Sequence, residues 1–163
     1  MPENTTMVML AINGISREVM VTPTETLADT LRNRLGLTGT NIICDEGNCG
    51  SCTVLMNGRP VLSCLTLTVE CEGKNIMTIE GLANRGTGEL HLVQQSFVDH
   101  NGMQCGVCTP GMILTAKSLL DNNPNPTEDE IRQALAGNIC RCGNYNRITE
   151  SVLAAAENTR KGT

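Results

Sequence analysis

The chain has 163 residues, a formal net charge of −5 and 40% hydrophobic residues. This length suffices for one ordinary domain or two small ones. The mild negative charge gives no electrostatic support for a nucleic-acid partner, and no apolar run approaches the ~20 residues of a membrane-spanning helix. The first residues lack a basic segment followed by an apolar one, so we expect no secretory signal and a cytoplasmic protein.

Two β-hairpins are predicted in the first half of the chain. The apolar segments of residues 7–22 flank Asn13-Gly14, and a second pair of short strands flanks Asn57-Gly58. Asn-Gly between alternating apolar residues is the strongest short-range signal for a two-residue hairpin turn.

The remaining elements of the first half are one helix and two further strands. Leucines spaced four apart predict a helix over 26–35, with Thr24 or Thr26 as its N-cap. Residues 65–70 and 76–80 alternate apolar and polar side chains and are predicted to be strands. Residues 1–80 therefore have an α+β pattern.

The second half is predicted to be helical. The composition shifts to glycine-rich over 81–90, which indicates a linker. Thr127 and Glu130 have the spacing of a capping box at the start of a helix that Gly137 ends. The predicted helices span 89–101, 111–123, 127–137 and 149–160. Four helices of this length suggest a small bundle.

The cysteines indicate metal sites rather than disulfides. Their number, nine, is odd, and no export signal accompanies them, whereas disulfide scaffolds belong to secreted chains with paired cysteines. They also occur in tight local sets, at positions 44, 49, 52 and 64, at 105 and 108, and at 140 and 142. Cys71 stands apart and is expected to be a buried core residue. His91 and His100 are expected to be surface or packing residues, not ligands.

The first set has the spacing C-x4-C-x2-C-x11-C, at Cys44, Cys49, Cys52 and Cys64. Its first three cysteines have the plant-type ferredoxin spacing, in which a distant fourth cysteine completes a [2Fe–2S] site. A loop whose amides turn inward toward sulfur needs residues without a Cβ clash, and Gly47 and Gly50 are placed for that. A zinc ribbon is the alternative, but zinc sites favour paired C-x2-C motifs on two arms. The spacing favours an iron–sulfur cluster.

The second set combines C-x2-C with C-x-C, at Cys105, Cys108, Cys140 and Cys142. A thioredoxin-like dithiol at the first pair is disfavoured because no strand precedes the helix that follows it. By spacing alone, zinc and an iron–sulfur cluster are equally good interpretations.

The strings CDEGNCGSCTV, QCGVCTPGM, NPNPTEDEIR and GNICRCGNY resemble, in this order and spacing, the small iron–sulfur subunit of the molybdenum hydroxylase (xanthine oxidase) family. The match covers roughly residues 7–157. The resemblance implies a ferredoxin-like β-grasp domain over 1–80, a linker over 81–88, and a four-helix-bundle domain over 89–163. Each domain would carry one [2Fe–2S] cluster, which resolves the second set in favour of iron–sulfur.

The resemblance also implies a role for each site residue. The cluster nearer the flavin would be held by Cys44, Cys49, Cys52 and Cys64. The cluster nearer the molybdenum would be held by Cys105, Cys108, Cys140 and Cys142. Gln104 would hydrogen-bond the pterin of the molybdenum cofactor, and Cys142 would also lie against it. Val107 departs from a common aromatic residue of the family, and Gly143-Asn144 stand where Thr-Gly is frequent.

The implied function is electron transfer within an oxidoreductase complex, with no catalytic residue on this chain. Electrons would pass from a molybdenum centre through the two clusters to FAD. The resemblance implies that a large subunit binds the molybdopterin cofactor and a medium subunit binds FAD, in a heterotrimer or a dimer of heterotrimers. The alternatives are a free-standing two-cluster ferredoxin and a zinc-binding interaction module. Because a diffusible carrier needs neither Gln104 nor the helical domain, the first alternative is disfavoured.

Overall fold

The computed structural model describes residues 4–161, so the outer ends of the two predicted domains, at residues 1 and 163, lie outside the described part. The fold is mixed, with a five-stranded sheet and five α-helices among the described residues. The strands are β1 (Thr6–Ile12), β2 (Ile15–Val21), β3 (Thr53–Met56), β4 (Arg59–Leu62) and β5 (Asn75–Met77). The helices are α1 (Leu27–Asp29), α2 (Leu92–Asp99), α3 (Thr109–Asn122), α4 (Glu128–Ala134) and α5 (Tyr145–Lys161).

The sheet has the strand order β2-β1-β5-β3-β4. Strand β1 pairs antiparallel with β2 and parallel with β5, while β3 pairs antiparallel with β4 and with β5. Both Asn-Gly turns have positive φ at both residues, 53° and 77° at Asn13 and Gly14 and 51° and 79° at Asn57 and Gly58. This is the type I′ geometry that matches the twist of a hairpin, and both predicted hairpins are confirmed.

The predicted 26–35 helix forms, but it begins as α1 and changes character along its length. Thr26 is the N-cap, since its hydroxyl accepts a hydrogen bond from the Asp29 N–H at 3.2 Å. After Asp29 the chain continues as a π-helical turn, Thr30–Arg34. Leu27 and Leu31 are fully buried against the sheet, so the leucine spacing identified the packed face correctly.

The predicted strand over 65–70 is wrong. Two 3₁₀ turns, Ser63–Leu65 and Thr68–Cys71, occupy this region, joined to the N-cap of α1 by an isolated bridge between Leu67 and Thr26. The Ser63 hydroxyl donates to the Cys52 carbonyl at 2.6 Å, which turns the chain away from β4. The strand predicted over 76–80 is also shorter than expected, because a 3₁₀ turn begins at Ile79.

The second half contains the four predicted helices. The capping box of α4 is confirmed: the Glu130 N–H donates to the Thr127 hydroxyl, and the Glu130 carboxylate accepts from the Thr127 N–H at 2.7 Å. Helix α5 begins at Tyr145, four positions before the predicted start at 149. The linker segment is irregular between the 3₁₀ turn Ile79–Gly81 and α2.

Each half has its own apolar core, and the two cores meet. The helices enclose Phe97, Met112, Ile131 and Ile148, all buried, while Met77 and Ile79 from the strand half pack against this helical core. Helix α3 lies along β3 and β4. No helix within residues 4–161 is long and apolar enough to cross a membrane.

Candidate metal centres

The loop between α1 and β3 holds three of the first four cysteines. Cys44 and Cys49 are half-buried and Cys52 is buried. Cys64, also buried, reaches the loop from the 3₁₀ turn after β4. The 3₁₀ turn Ser63–Leu65, which runs into the segment predicted to be a strand, therefore brings Cys64 to the other three thiols.

Both glycines of this loop are required by its conformation. Gly47 and Gly50 have φ of +76° and +69°, which side chains rarely adopt. A Cβ on Gly47 would lie 2.3 Å from Leu65 Cδ1, and one on Gly50 would lie 2.3 Å from the carbonyl oxygen of Gly137. The prediction that these positions exclude a Cβ is confirmed, and at Gly50 the excluded space belongs to the helical half.

Backbone N–H groups of the loop are directed at the cysteine sulfurs. The N–H of Glu46 makes the largest contribution to lowering the pKa of Cys44 to about 7, followed by a hydrogen bond with the Cys49 thiol and the N–H groups of Asn48 and Cys49. The N–H of Gly47 donates toward Cys64. Amide donors stabilise thiolates, so this loop is arranged to hold negatively charged sulfur.

The buried thiols of the first set are Cys52 and Cys64, and the pKa of Cys64 shifts in the opposite direction to that of Cys44. Burial, followed by a hydrogen bond with the Cys52 thiol and the charge of that group, raises the pKa of Cys64 to about 11. A buried thiolate at this position therefore needs a cation beside it. The four thiols thus form two contacting pairs, Cys44 with Cys49 and Cys52 with Cys64.

The second set has the same organisation. Cys105 and Cys142 are exposed, whereas Cys108 and Cys140 are buried. The Val107 N–H, and next a hydrogen bond with the Cys142 thiol, lower the pKa of Cys105. Burial, together with a hydrogen bond to the Cys140 thiol, raises the pKa of Cys108 to about 12. One pair lies at the surface and the other lies beneath it.

Two contacting pairs of thiols suit a two-iron cluster better than a single ion. A [2Fe–2S] cluster takes four cysteine thiolates, two on each iron, which matches the two pairs of each set. Near the second set, the buried Thr109 hydroxyl follows Cys108 directly and has no hydrogen-bond partner among the described residues. Such an orphan group is expected beside an acceptor that binds later, such as cluster sulfur.

A hydrogen-bonded junction joins the two sets of cysteines. The Ile139 N–H donates to the Cys49 carbonyl at 2.9 Å, so a residue adjacent to Cys140 is bonded directly to a cysteine of the first set. Asn138, which is 5% exposed, donates from Nδ2 to the Gly50 carbonyl at 2.9 Å and accepts at Oδ1 from the Thr115 hydroxyl at 3.0 Å.

The same junction is tightened by close backbone approach. A Cβ on Gly111 of α3 would lie 2.4 Å from the Gly50 carbonyl oxygen. A further bond crosses nearby, since Asn41 Nδ2 donates to the Val107 carbonyl at 2.9 Å. The two cysteine sets are therefore held in a fixed relation by contacts between their own loops.

Gln104, the predicted pterin contact, has an exposed side chain next to the exposed Cys105. Its Nε2 donates to Asn144 Oδ1 at 3.2 Å. Cys142 and Gln104 therefore lie on the same outward side of the second set, since both Cys142 and Gln104 adjoin Cys105.

Sequence reasoning missed the amides at the junction. Asn138 precedes the C-x-C motif within the string GNICRC, but its partners lie more than 20 positions away along the chain. Cys71 is fully buried in the sheet core, as expected. His91 is the N-cap of α2, where Nδ1 accepts from the Val93 N–H at 3.2 Å, so it has the structural role expected of it.

Family models match both halves of the chain. The model described as a 2Fe-2S iron-sulfur cluster binding domain matches residues 10–78. The model described as a [2Fe-2S] binding domain matches residues 78–153. The second match begins at the residue where the first one ends, within the segment between β5 and the helical half.

Proteins with known names match nearly the whole length. The small FeS subunit of nicotinate dehydrogenase from Eubacterium barkeri is 47% identical over 91% of this chain and 93% of the relative. The small subunit of nicotine 6-hydroxylase from Paenarthrobacter nicotinovorans is 45% identical over 94% and 92%. The crystal structure of quinoline 2-oxidoreductase from Pseudomonas putida 86 superposes with a TM-score of 0.91, at 46% identity, covering 97% of this chain and 98% of that one. The chain belongs to the small [2Fe–2S] iron–sulfur subunits of the molybdenum hydroxylase (xanthine oxidase/dehydrogenase) family and is a subunit of an oxidoreductase complex.

Proposed function

We propose that this chain carries electrons one at a time from a molybdenum centre on one partner subunit to FAD on another. The observation that carries the proposal is the junction at Ile139 and Cys49, which connects two four-thiol sites through one backbone hydrogen bond of 2.9 Å. Each site also has a pair of thiols nearer the surface and a buried pair, so electrons have a place to enter and a place to leave.

The ligands we assign are the two cysteine sets. Cys44, Cys49, Cys52 and Cys64 hold one cluster, and Cys105, Cys108, Cys140 and Cys142 hold the other. When bound, each [2Fe–2S] cluster accepts and returns one electron at a potential set by its hydrogen bonds, net charge and exposure. The thiol pairing on each site supports this assignment.

The loop residues prepare the thiols for this role. The N–H groups around Cys44 favour its thiolate near neutral pH. Cys64 and Cys108 are protonated without metal, because burial places their pKa near 11 and 12. Binding of iron at these positions therefore releases protons, and the buried negative charge is retained only while the iron is present.

The order of electron flow that we propose is the one that the family resemblance implies, and the exposure of the second set is compatible with it. Gln104, Cys105 and Cys142 form an outward-facing group at the second set, which leaves Gln104 and Cys142 open to the contact with the pterin that the family resemblance implies, so we assign this set to the molybdenum side. Electrons then cross the Ile139–Cys49 junction to the first set, which faces the flavin subunit. Exposed apolar side chains that a subunit interface would cover lie beside both sets, Val107 and Ile139 beside the second and Ile43 and Leu65 beside the first.

The assembly we propose contains a large molybdopterin-binding subunit and a medium FAD-binding subunit, as a heterotrimer or a dimer of heterotrimers in the cytoplasm. We divide this chain into a β-grasp domain over 1–80, a linker over 81–88 and a four-helix-bundle domain over 89–163. The abutting family matches at residue 78 and the irregular segment before α2 support this division. The separate cores of the two halves also support it.

The test is to interrupt electron transfer between the two cysteine sets. In the assembled complex, Cys49→Ser removes one proposed ligand of the first cluster, so substrate should still reduce molybdenum and the second cluster while flavin reduction is lost. Freeze-quench EPR and flavin absorbance report these steps separately. The control is Cys71→Ala, which alters a buried cysteine outside both sets and should leave flavin reduction intact. Normal flavin reduction in the Cys49→Ser complex would contradict the proposal.

A further inference from the structure

Asn144 occupies a helix-capping position without using its side chain as a cap. It directly precedes α5, and its carbonyl accepts from the Ile148 N–H at 3.0 Å. Asn is favoured at such positions because its side-chain oxygen accepts from an N–H of the first helical turn. Here the side chain instead donates from Nδ2 to the Asn101 carbonyl at 2.9 Å and accepts at Oδ1 from Gln104 Nε2 at 3.2 Å.

This arrangement fixes the polarity of two amides in series. A backbone carbonyl can only accept, so the Asn101 oxygen determines which end of the Asn144 amide faces it. Asn144 Oδ1 must then face Gln104, and Gln104 must present Nε2 to it. Among the described residues, Gln104 Oε1 has no hydrogen-bond partner, so it can accept a hydrogen bond from another molecule.

The anchor of this series is rigid. Asn101 has φ of +56°, and the next residue, Gly102, donates its N–H to the Phe97 carbonyl at 2.8 Å. A Cβ on Gly102 would lie 2.6 Å from Ser151 Oγ, so the turn is packed directly against α5. Asn144 itself is 8% exposed. The exposed Gln104 side chain is therefore bonded to a buried amide whose orientation is set by packed backbone.

We propose that Asn144 is a positioning residue that orients the Gln104 amide so that Oε1 serves as a hydrogen-bond acceptor for an N–H donor of the partner's pterin cofactor. The inference rests on the proposed function, which places Gln104 at that cofactor.

Two variants of the same shape isolate the acceptor. Asn144→Leu and Asn144→Asp both lose the donor to the Asn101 carbonyl, but only aspartate keeps an oxygen for Gln104 Nε2. In the purified complex we expect Asn144→Leu to slow single-turnover reduction of the iron–sulfur clusters by substrate about tenfold, since small misplacements of a contacting group have effects of this size or larger. Asn144→Asp should retain more of the rate than Asn144→Leu, because a carboxylate also requires Gln104 to present Nε2, although its other oxygen then faces the Asn101 carbonyl. Gln95→Ala, which removes an exposed glutamine bonded to Asp99 on α2, should leave the rate unchanged.

A second comparison shows whether Asn144 acts through Gln104. In a Gln104→Ala background, Asn144→Leu should cause no further slowing, because the group that it positions is absent. The EPR signal of the molybdenum centre gives a readout independent of turnover: Asn144→Leu and Gln104→Ala should change it in the same way. If Asn144→Leu fails to assemble, Asn144→Gly, which also removes the acceptor, replaces it in both comparisons.

Three results would overturn the inference, and they differ in what else they affect. Equal rates for the leucine and aspartate variants, or additive slowing in the Gln104→Ala background, would reject the role of Asn144 while leaving the proposed function intact. A complex with normal molybdenum content in which Gln104→Ala has no effect on rate or EPR signal would reject the pterin contact itself, and the inference with it.

Discussion

Gly50→Ala is the substitution that most directly tests the junction between the two halves. Gly50 has φ of +69°, and a Cβ there would lie 2.3 Å from the Gly137 carbonyl oxygen, 2.7 Å from Asn138 Nδ2 and 3.0 Å from Asn138 Cα. Two of these three atoms belong to the backbone, so a side-chain rotation cannot relieve the clash. The chain segment before Cys140 must move away from the first cysteine loop.

The expected cost has two parts. A residue with a Cβ in the left-handed region costs about 1–2 kcal/mol, and overpacking against fixed backbone costs typically about 1–3 kcal/mol more. Gly58→Ala is a matched control, because Gly58 has φ of +79° with nothing within 4 Å of a Cβ and so includes only the first part. At about 2–4 °C per kcal/mol for a chain of this size, Gly50→Ala should lower the thermal midpoint by roughly 4–20 °C and Gly58→Ala by roughly 2–8 °C, with Gly50→Ala the more damaging of the two.

The assay is thermal loss of the visible iron–sulfur absorbance in the assembled complex, at one scan rate for all variants because such unfolding is often irreversible. Flavin reduction by substrate should also be slower in Gly50→Ala, since the displaced segment includes Ile139, which donates to the Cys49 carbonyl. If Gly50→Ala and Gly58→Ala lose equal stability and both keep wild-type flavin reduction, the close approach at Gly50 does not hold the two sites together.

Two further predictions follow from the buried polar groups. Asn138→Leu preserves the side-chain shape but removes the hydrogen bonds to Gly50 and Thr115. It should lower the free energy of unfolding by about 1–3 kcal/mol, because the buried partners lose their hydrogen bonds. Denaturant titration beside the exposed control Asn33→Leu measures this loss, and an equal loss in both variants would contradict the prediction. Burial lowers the pKa of His91, with the Lys117 charge adding to the effect, so the folded state resists a proton that the unfolded state accepts. Stability should therefore fall as pH drops below about 6.5, the ordinary pKa of histidine. His91→Asn can cap the helix without titrating, so thermal scans of this variant should lose that pH dependence. If the pH dependence persists, it arises from a group other than His91.

Local signals in the sequence predicted local structure well. Each Asn-Gly pair specifies a turn through its own backbone preference, and the Thr127–Glu130 capping box forms between residues three apart. Both depend on interactions within a few residues, so no knowledge of the rest of the fold is needed. The leucine spacing of α1 likewise identified its buried face, although not the π-helical turn at its end.

Predictions failed where distant contacts override local preference. Residues 65–70 alternate like a strand, but the Ser63–Cys52 bond and the Leu67–Thr26 bridge bend them into 3₁₀ turns. Helix α5 begins early because Tyr145, which lacks an obvious place in the apolar pattern, is held by its hydroxyl accepting from the Cys140 N–H at 2.9 Å. The Ser63 and Leu67 contacts join distant parts of the chain and cannot be inferred from neighbouring residues, whereas the Tyr145 contact is local and was missed.

The candidate sites divide in the same way. Cysteine spacing and the need for Gly47 and Gly50 were evident from the sequence, because a tight loop restricts its own residues. The junction was not evident, because Asn138 and Gly50 are 88 positions apart and neither segment has a sequence feature that indicates contact with the other. The spacing therefore predicted which thiols belong together, and only the fold shows how the two sets are connected.

The most direct test of the central claim is an iron, sulfide and EPR measurement on the complex purified natively through this chain. The account predicts two iron and two acid-labile sulfide for each of two clusters, two distinct EPR signals after reduction, and co-purifying subunits that carry molybdenum and FAD. A preparation containing zinc in place of iron would contradict the cluster assignment. An iron–sulfur protein that purifies alone, without molybdenum or flavin after gentle handling, would contradict the proposed path between partners.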